Sequence, residues 1–275
     1  MPELSFEGRK LVYLTFGSHE RKRGTPTIIV ISTEYRDTQT ASTYYGRFSG
    51  DVDGIILDNT NIGRSDRLQR ALSADEVLSE IKYVCAALEI ERPILTGYCS
   101  NAELALYCAK HIEDSAAVLL SPLIRIGDGA FIEYFYAAMG KAIKSADAYT
   151  LSLITNLVDL HCKGFREQRN YAMADQFSVA SILKESEHFW IKTLQNKPVG
   201  AFNWEDLPSL NRPVLLLKGA HDPLQPINWL AGRMTHPEHK LQILDTSHKI
   251  LEDAMDAVVS HITEFARKLH AVEAC

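Results

Sequence analysis

The sequence predicts an α/β protein: a mostly parallel central sheet flanked by helices, interrupted by an all-helical insertion. Three observations lead there. Short apolar, β-branched runs recur along the chain, as in "TIIVIS" after Pro26 and "DGIILD" at 53–58. Segments with apolar residues at helical spacing stand between them. That alternation stops near residue 124 and resumes after 205. Strands alternating with helices imply parallel pairing, with both faces of the sheet covered.

In chain order, "RKLVYLTF" at 9–16 predicts a strand, followed by strands at 27–32 and 53–58. Ser73 and Glu76 form a capping box ahead of Val77, Ile81, Val84, Cys85 and Leu88, which predicts a helix over 73–88. "PILTGY" is a short strand, "NAELALYCAKHI" a helix and "AAVLLSP" at 116–122 a strand. Inside the insertion, "AFIEYFYAAMGKAIK", "ADAYTLSLITNLVDL" and "SVASILKESEHFWIKTL" read as successive helices. The expected core is therefore 1–123 plus 206–275, and 124–205 is expected to be a helical cap or lid. The core resumes with the strand and loop of "RPVLLLKGAHD" and a helix near 226–235. "HKLQILDTSHK" is again strand then loop. "DAMDAVVSHITEFARKLH" closes the chain as an amphipathic helix, with Arg267 and Lys268 where a helix C-terminus favours cations.

Composition narrows the function classes. The chain has 275 residues, 46% hydrophobic and 23% charged, which is ordinary for a globular protein with a sizeable core. A net charge of −6 argues against nucleic acid as the main partner. The basic cluster Arg21-Lys22-Arg23 precedes Gly24 and reads as a solvated turn. Cys85, Cys99, Cys108, Cys162 and Cys275 are odd in number and form no CxxC pair, which fits a reducing compartment better than a disulfide framework or a zinc site. The N-terminal stretch lacks a signal-peptide core, and no run approaches the ~18 apolar residues of a spanning helix. A cytoplasmic protein without membrane partner, metal or cofactor is expected, as monomer or homodimer.

The stretch "LTGYCSNAELAL" carries the chemistry. An apolar strand enters a corner holding a glycine, a cysteine and a serine, and a helix leaves it. This resembles the nucleophile elbow of the α/β-hydrolase fold, where small residues stand two before and two after the nucleophile. With Cys99 as nucleophile the flanking residues are Gly97 and Asn101; with Ser100 they are Tyr98 and Ala102. A tyrosine does not fit so tight a turn, so Cys99 is the better assignment. Asn101 departs from the usual glycine.

The resemblance covers the chain outside its insertion and implies the order nucleophile, acid, histidine. "LLLKGAHDPLQP" offers Asp222 and "LQILDTSHKILED" offers His248, separated by one helix and one strand. Nothing acidic follows the strand ending at Ser121-Pro122. His248 would take the thiol proton, and Asp222 would orient the histidine. The developing oxyanion would meet the backbone N–H of Ser100 and one from Thr33 or Glu34, in a loop lacking the family's frequent His-Gly. "LDNTNIGRSD" resembles a common loop of the family, and Asp58, Gly63 and Ser65 in it read as structural turn residues. Tyr98, Tyr35, Tyr134, Phe135, Met139 and Trp190 are candidate pocket residues.

Most relatives use serine. A cysteine here is similar to those of dienelactone hydrolases, polyhydroxyalkanoate synthases and some chain-releasing thioesterases and cyclases. A cysteine exchanges thioesters at nearly balanced equilibrium and keeps the acyl group activated. The leading expectation is therefore a thioesterase or acyltransferase acting on a small-molecule acyl thioester, CoA-bound or on an acyl carrier protein partner, with release or cyclisation of a biosynthetic chain as its setting. A carboxylic ester or lactone hydrolase is one alternative. A catalytically degenerate relative used as a small-molecule receptor or complex subunit is another.

Overall fold

The computed structural model describes residues 1–17, 24–32, 38–48, 52–123, 141, 142, 145, 147–150, 201–222 and 227–271. Among them, eight strands form one sheet: β1 (Glu3–Phe6), β2 (Arg9–Phe16), β3 (Thr27–Ile31), β4 (Asp53–Asp58), β5 (Pro93–Tyr98), β6 (Ala116–Leu120), β7 (Val214–Gly219) and β8 (His239–Leu244). Their order is β1-β2-β4-β3-β5-β6-β7-β8. β2 pairs antiparallel with both β1 and β4, and every later pairing is parallel.

The helices are α1 (Thr38–Tyr45), α2 (Ala74–Ala87), α3 (Asn101–His111), α4 (Ile227–Ala231), α5 (Ile250–Asp253) and α6 (Met255–Ala271), with a 3-10 turn at Trp204–Ser209. The side-chain alternation of the strands sorts the core into two layers. Ile29, Ile31, Leu95, Leu119 and Leu216 pack with α2, α3 and the 3-10 turn. Ile28, Val30, Ile94, Val118 and Leu215 pack with α1 and α6. Every residue of β3, β6 and β7 is buried, as a sheet covered on both faces requires.

The predicted core elements are present. Ser73 caps α2 with Glu76 in a reciprocal capping box. The predicted closing helix is α6, and the short α5 ahead of it was not expected. The helix predicted near 226–235 is the shorter α4. The hairpin partner β1, helix α1 and the 3-10 turn were not expected. The cap predicted at 124–205 lies almost wholly outside the described residues.

The strand order places the site. β3 and β5 are neighbours, yet the chain runs from β3 outward to β4 and from β5 outward the other way to β6. This reversal opens a crevice at the carboxyl ends of β3 and β5, the usual ligand position in open α/β sheets. The turn after β4 is structural, as expected. Asp58 accepts from the Thr38 backbone N–H at 2.8 Å and its hydroxyl at 2.9 Å. Ser65 accepts from Val12 N–H at 2.8 Å and donates to the Asp58 carbonyl at 2.5 Å.

Candidate active site

The corner after β5 is built from backbone crowding. A Cβ on Gly97 would lie 2.2 Å from the Asn101 carbonyl oxygen and 2.8 Å from Ala102 Cα. Only glycine allows α3 to start so close to the strand. Cys99 has φ of 53°, a left-handed conformation uncommon for residues other than glycine, asparagine and aspartate. Strain of this kind costs on the order of 1–3 kcal/mol and persists where the surroundings impose it. Here they do. Cys99 N–H donates to Leu120 O at 2.9 Å, and Cys99 O accepts from Ala102 N–H at 3.2 Å and Leu123 N–H at 3.0 Å.

Asn101, the departure from the family pattern, fits because its side chain is used. It is fully buried, and its amide nitrogen donates to Ser32 O at 2.7 Å and Ile31 O at 3.3 Å. A glycine could not tie the end of β3 to the first turn of α3 in this way.

The predicted acid and histidine meet beside this corner. Asp222 Oδ2 lies 3.0 Å from His248 Nδ1. Gly219 makes the approach possible: a Cβ there would fall 2.2 Å from Ser247 O, so the ends of β7 and β8 could not close. Ala220 N–H then donates to Leu244 O at 2.7 Å and His221 N–H to Thr246 O at 3.0 Å. The histidine loop is braced on two further sides. Asp253 Oδ2 accepts from Ser247 N–H at 2.9 Å and Ser247 Oγ at 2.5 Å. The Tyr98 hydroxyl donates to His248 O at 3.2 Å, and its ring centroid stands 5.5 Å from the imidazole.

With Nδ1 engaged by Asp222, Nε2 is left for the Cys99 thiol, whose charge acts on the imidazole. Burial opposes protonation of His248, but the charge of Cys99 and the carboxylate of Asp222 outweigh it and raise the imidazole to about 10. The other described cysteines differ. Cys108 is fully buried among apolar side chains, which pushes its thiol well above the usual range. Cys85 is half-buried on α2.

Cys99, His248 and Asp222 are thus brought together, with Ser100 buried at the N-cap of α3. Thr33, Glu34, Tyr35, Tyr134, Phe135, Met139 and Trp190 lie outside the described residues. The sequence reading did not single out Asp253, Gly219 or the tie made by Asn101. A glycine between an apolar strand and a candidate acid was the available signal for Gly219; nothing marked Asp253.

No family model matches the chain, and a search of curated proteins found no match. Solved structures do match. MGS-M2, an alpha/beta hydrolase enzyme from a Medee basin deep-sea metagenome library, is 13% identical, with a TM-score of 0.77 over 96% of each chain. The enol-lactonase from Burkholderia xenovorans LB400 is 14% identical, with a TM-score of 0.72 over 96% of this chain and 99% of that one. MenH from S. aureus is 18% identical, with a TM-score of 0.68 over 94% of this chain and 98% of that one. The likeness spans nearly the full length of each and concerns architecture: this chain has the α/β-hydrolase fold.

Proposed function

We propose that the protein is a hydrolase that cleaves an acyl thioester through a covalent intermediate on Cys99, with His248 as the proton carrier and Asp222 as its orienting group. One observation carries the reading: the thiol stands on a strained corner beside a histidine whose far nitrogen is held 3.0 Å from a buried carboxylate. Buried structural cysteines have no use for such company; a nucleophile does.

The steps follow from these groups. His248 takes the Cys99 proton, and the thiolate attacks the acyl carbon. The carbonyl π pair moves onto oxygen, where the Ser100 N–H is the donor expected first. The tetrahedral intermediate collapses, the bond to the leaving sulfur breaks, and His248 returns the proton to it. Water then attacks the acyl–cysteine, giving its proton to His248, and the carboxylic acid departs as the thiolate is restored. An alcohol or amine in place of water would make the same intermediate an acyl donor.

A second reading, hydrolysis of a carboxylic ester or lactone, draws support from the fold neighbours, which include esterases and the enol-lactonase. Intact-protein mass spectrometry separates the two. The chain is mixed with acyl thioesters and with matched oxygen esters and lactones. The thioester reading expects an acyl mass gain faster from thioesters and lost in Cys99→Ala. Faster acylation from the oxygen substrates favours the second reading. No adduct from either, with no substrate consumed, overturns covalent catalysis at Cys99.

A further inference from the structure

β7 reads Val-Leu-Leu-Leu-Lys-Gly, and all six residues are buried. A lysine in such a strand needs a reason, because an ammonium is costly to remove from water without a partner. Lys218 has a fully buried side chain, and its Nζ lies 3.0 Å from Asp222 Oδ2. That is the same oxygen that stands 3.0 Å from His248 Nδ1. The lysine contact is an ion pair whose alignment falls short of a directed hydrogen bond. Two groups able to carry positive charge therefore draw on one carboxylate oxygen.

We infer that Lys218 is a positioning residue: it holds Asp222 in place and limits how strongly that carboxylate favours the protonated form of His248. This rests on the proposed pairing of Cys99 with His248. A carboxylate facing an imidazole alone spends its whole field on the imidazolium. Here the ammonium already compensates part of it. Burial lowers the proton affinity of Lys218, while Asp222 pulls it back up, as expected for a cation held by this one acidic partner among the described residues.

Among the described residues, the other groups around the imidazole act as follows. Cys99 faces it from the corner before α3, and Tyr98 from β5 places its hydroxyl on the His248 carbonyl. Asp253 on α5 is directed to Ser247. Lys249 follows His248 in the chain, and its backbone N–H donates to Ser247 Oγ at 3.1 Å. Asp245 after β8 pairs with His221 at 2.9 Å, and both side chains are exposed.

The test is the protonation midpoint of His248, read from the pH dependence of its imidazole NMR signals in the full chain carrying Cys99→Ala, so that no coupled thiol or substrate intervenes. Lys218→Met and Lys218→Gln remove the charge, and Lys218→Arg keeps it. Without the ammonium, Asp222 favours the imidazolium more strongly. The midpoint is expected to move up by about one pH unit in both neutral variants. Lys218→Arg is expected to keep the midpoint of the lysine chain. An unmoved midpoint in a folded neutral variant, or an equal shift in Lys218→Arg, overturns the inference. Should Lys218→Met not fold, Lys218→Gln against Lys218→Arg decides. The rate of Cys99 alkylation by iodoacetamide against pH, in the wild-type chain and in His248→Gln, separates the two levels. If the two profiles match, the Cys99–His248 pairing itself fails. If they differ while the Lys218 variants leave the midpoint unmoved, only the role of Lys218 fails.

Discussion

In Gly97→Ala the new methyl group meets the Asn101 carbonyl oxygen at 2.2 Å, its carbon at 2.5 Å and Ala102 Cα at 2.8 Å. None of these is the far end of a flexible side chain; all are backbone of the first turn of α3. Ordinary contact begins near 3.4 Å, so strand and helix must part by about 1 Å. Overpacking of this size costs about 1–3 kcal/mol. For a chain of this length that is a fall in Tm of roughly 2–10 °C. Cys99 lies between the two displaced elements, so it moves relative to His248. A misplacement of about 1 Å is worth on the order of 100-fold in rate. The predicted outcome is a protein that still folds, melts a few degrees lower and acylates Cys99 about a hundred times more slowly. Thermal melts and single-turnover acylation, read on the same preparations, check it. An alanine variant with wild-type Tm and rate would refute the claim that backbone crowding sets the geometry of the corner.

Three further predictions use the same preparations. Cys99→Ala abolishes acyl adduct formation while Tm changes by no more than ~1–2 kcal/mol equivalent in either direction, since the substitution also relieves a corner and not a packed core; differential scanning calorimetry and adduct mass check both halves. Asp253→Ala removes the acceptor of the 2.9 Å and 2.5 Å bonds from Ser247 and leaves a buried N–H unpaired. It costs about 1–3 kcal/mol and lowers kcat with KM little changed, because the brace acts on the histidine loop. His248 is raised from 6.5 to about 10 in the folded chain, so its contribution to stability is complete below pH 6.5 and is lost as pH climbs through 10. Wild type therefore loses stability relative to His248→Gln across that window in pH-resolved urea titrations, and parallel curves would refute the assignment.

The strands were legible because their residues face apolar layers on both sides. Runs such as Thr27–Ile31 and Val214–Leu217 have no polar phase to confuse the period. Ser73 and Glu76 gave the start of α2, because a capping box is a local device written in adjacent residues. Helix α1 was illegible for the opposite reason. "TQTASTYY" has no apolar stripe of its own, and its position depends on Asp58, twenty residues away, which accepts from Thr38. At the site, Cys99, Asp222 and His248 were readable because each follows a strand in the order the corner implies. Asn101 read only as an exception, since its partners are the carbonyls of Ile31 and Ser32, distant in sequence. Lys218 carried a weak signal, a charge inside an apolar strand, whose meaning appears only when its ammonium is seen on the oxygen that faces His248.

The sharing of Asp222 bears on why the corner holds a thiol. A thiol gives up its proton near pH 8.5, whereas a serine hydroxyl needs far stronger help. His248 owes its raised proton affinity first to the charge of Cys99, and the field of Asp222 is partly spent on Lys218; with a serine in place of the thiol only that shared carboxylate is left, and the base is weak for a hydroxyl. Cys99→Ser is then expected to lose 10²–10⁴-fold in oxygen-ester hydrolysis, the range that general-base help is worth. The double variant Cys99→Ser with Lys218→Met restores the full field of Asp222 to the histidine. It is expected to run about threefold faster than Cys99→Ser alone, since a general base passes only part of a change in basicity of about one unit into the rate. The measurement is initial rates on a chromogenic oxygen ester, with Tm recorded for each variant so that loss of fold is visible. A serine variant as fast as wild type shows that the base is already strong. A double variant no faster than the single shows that Lys218 does not restrain it. Either result would separate the choice of cysteine from the lysine behind the acid.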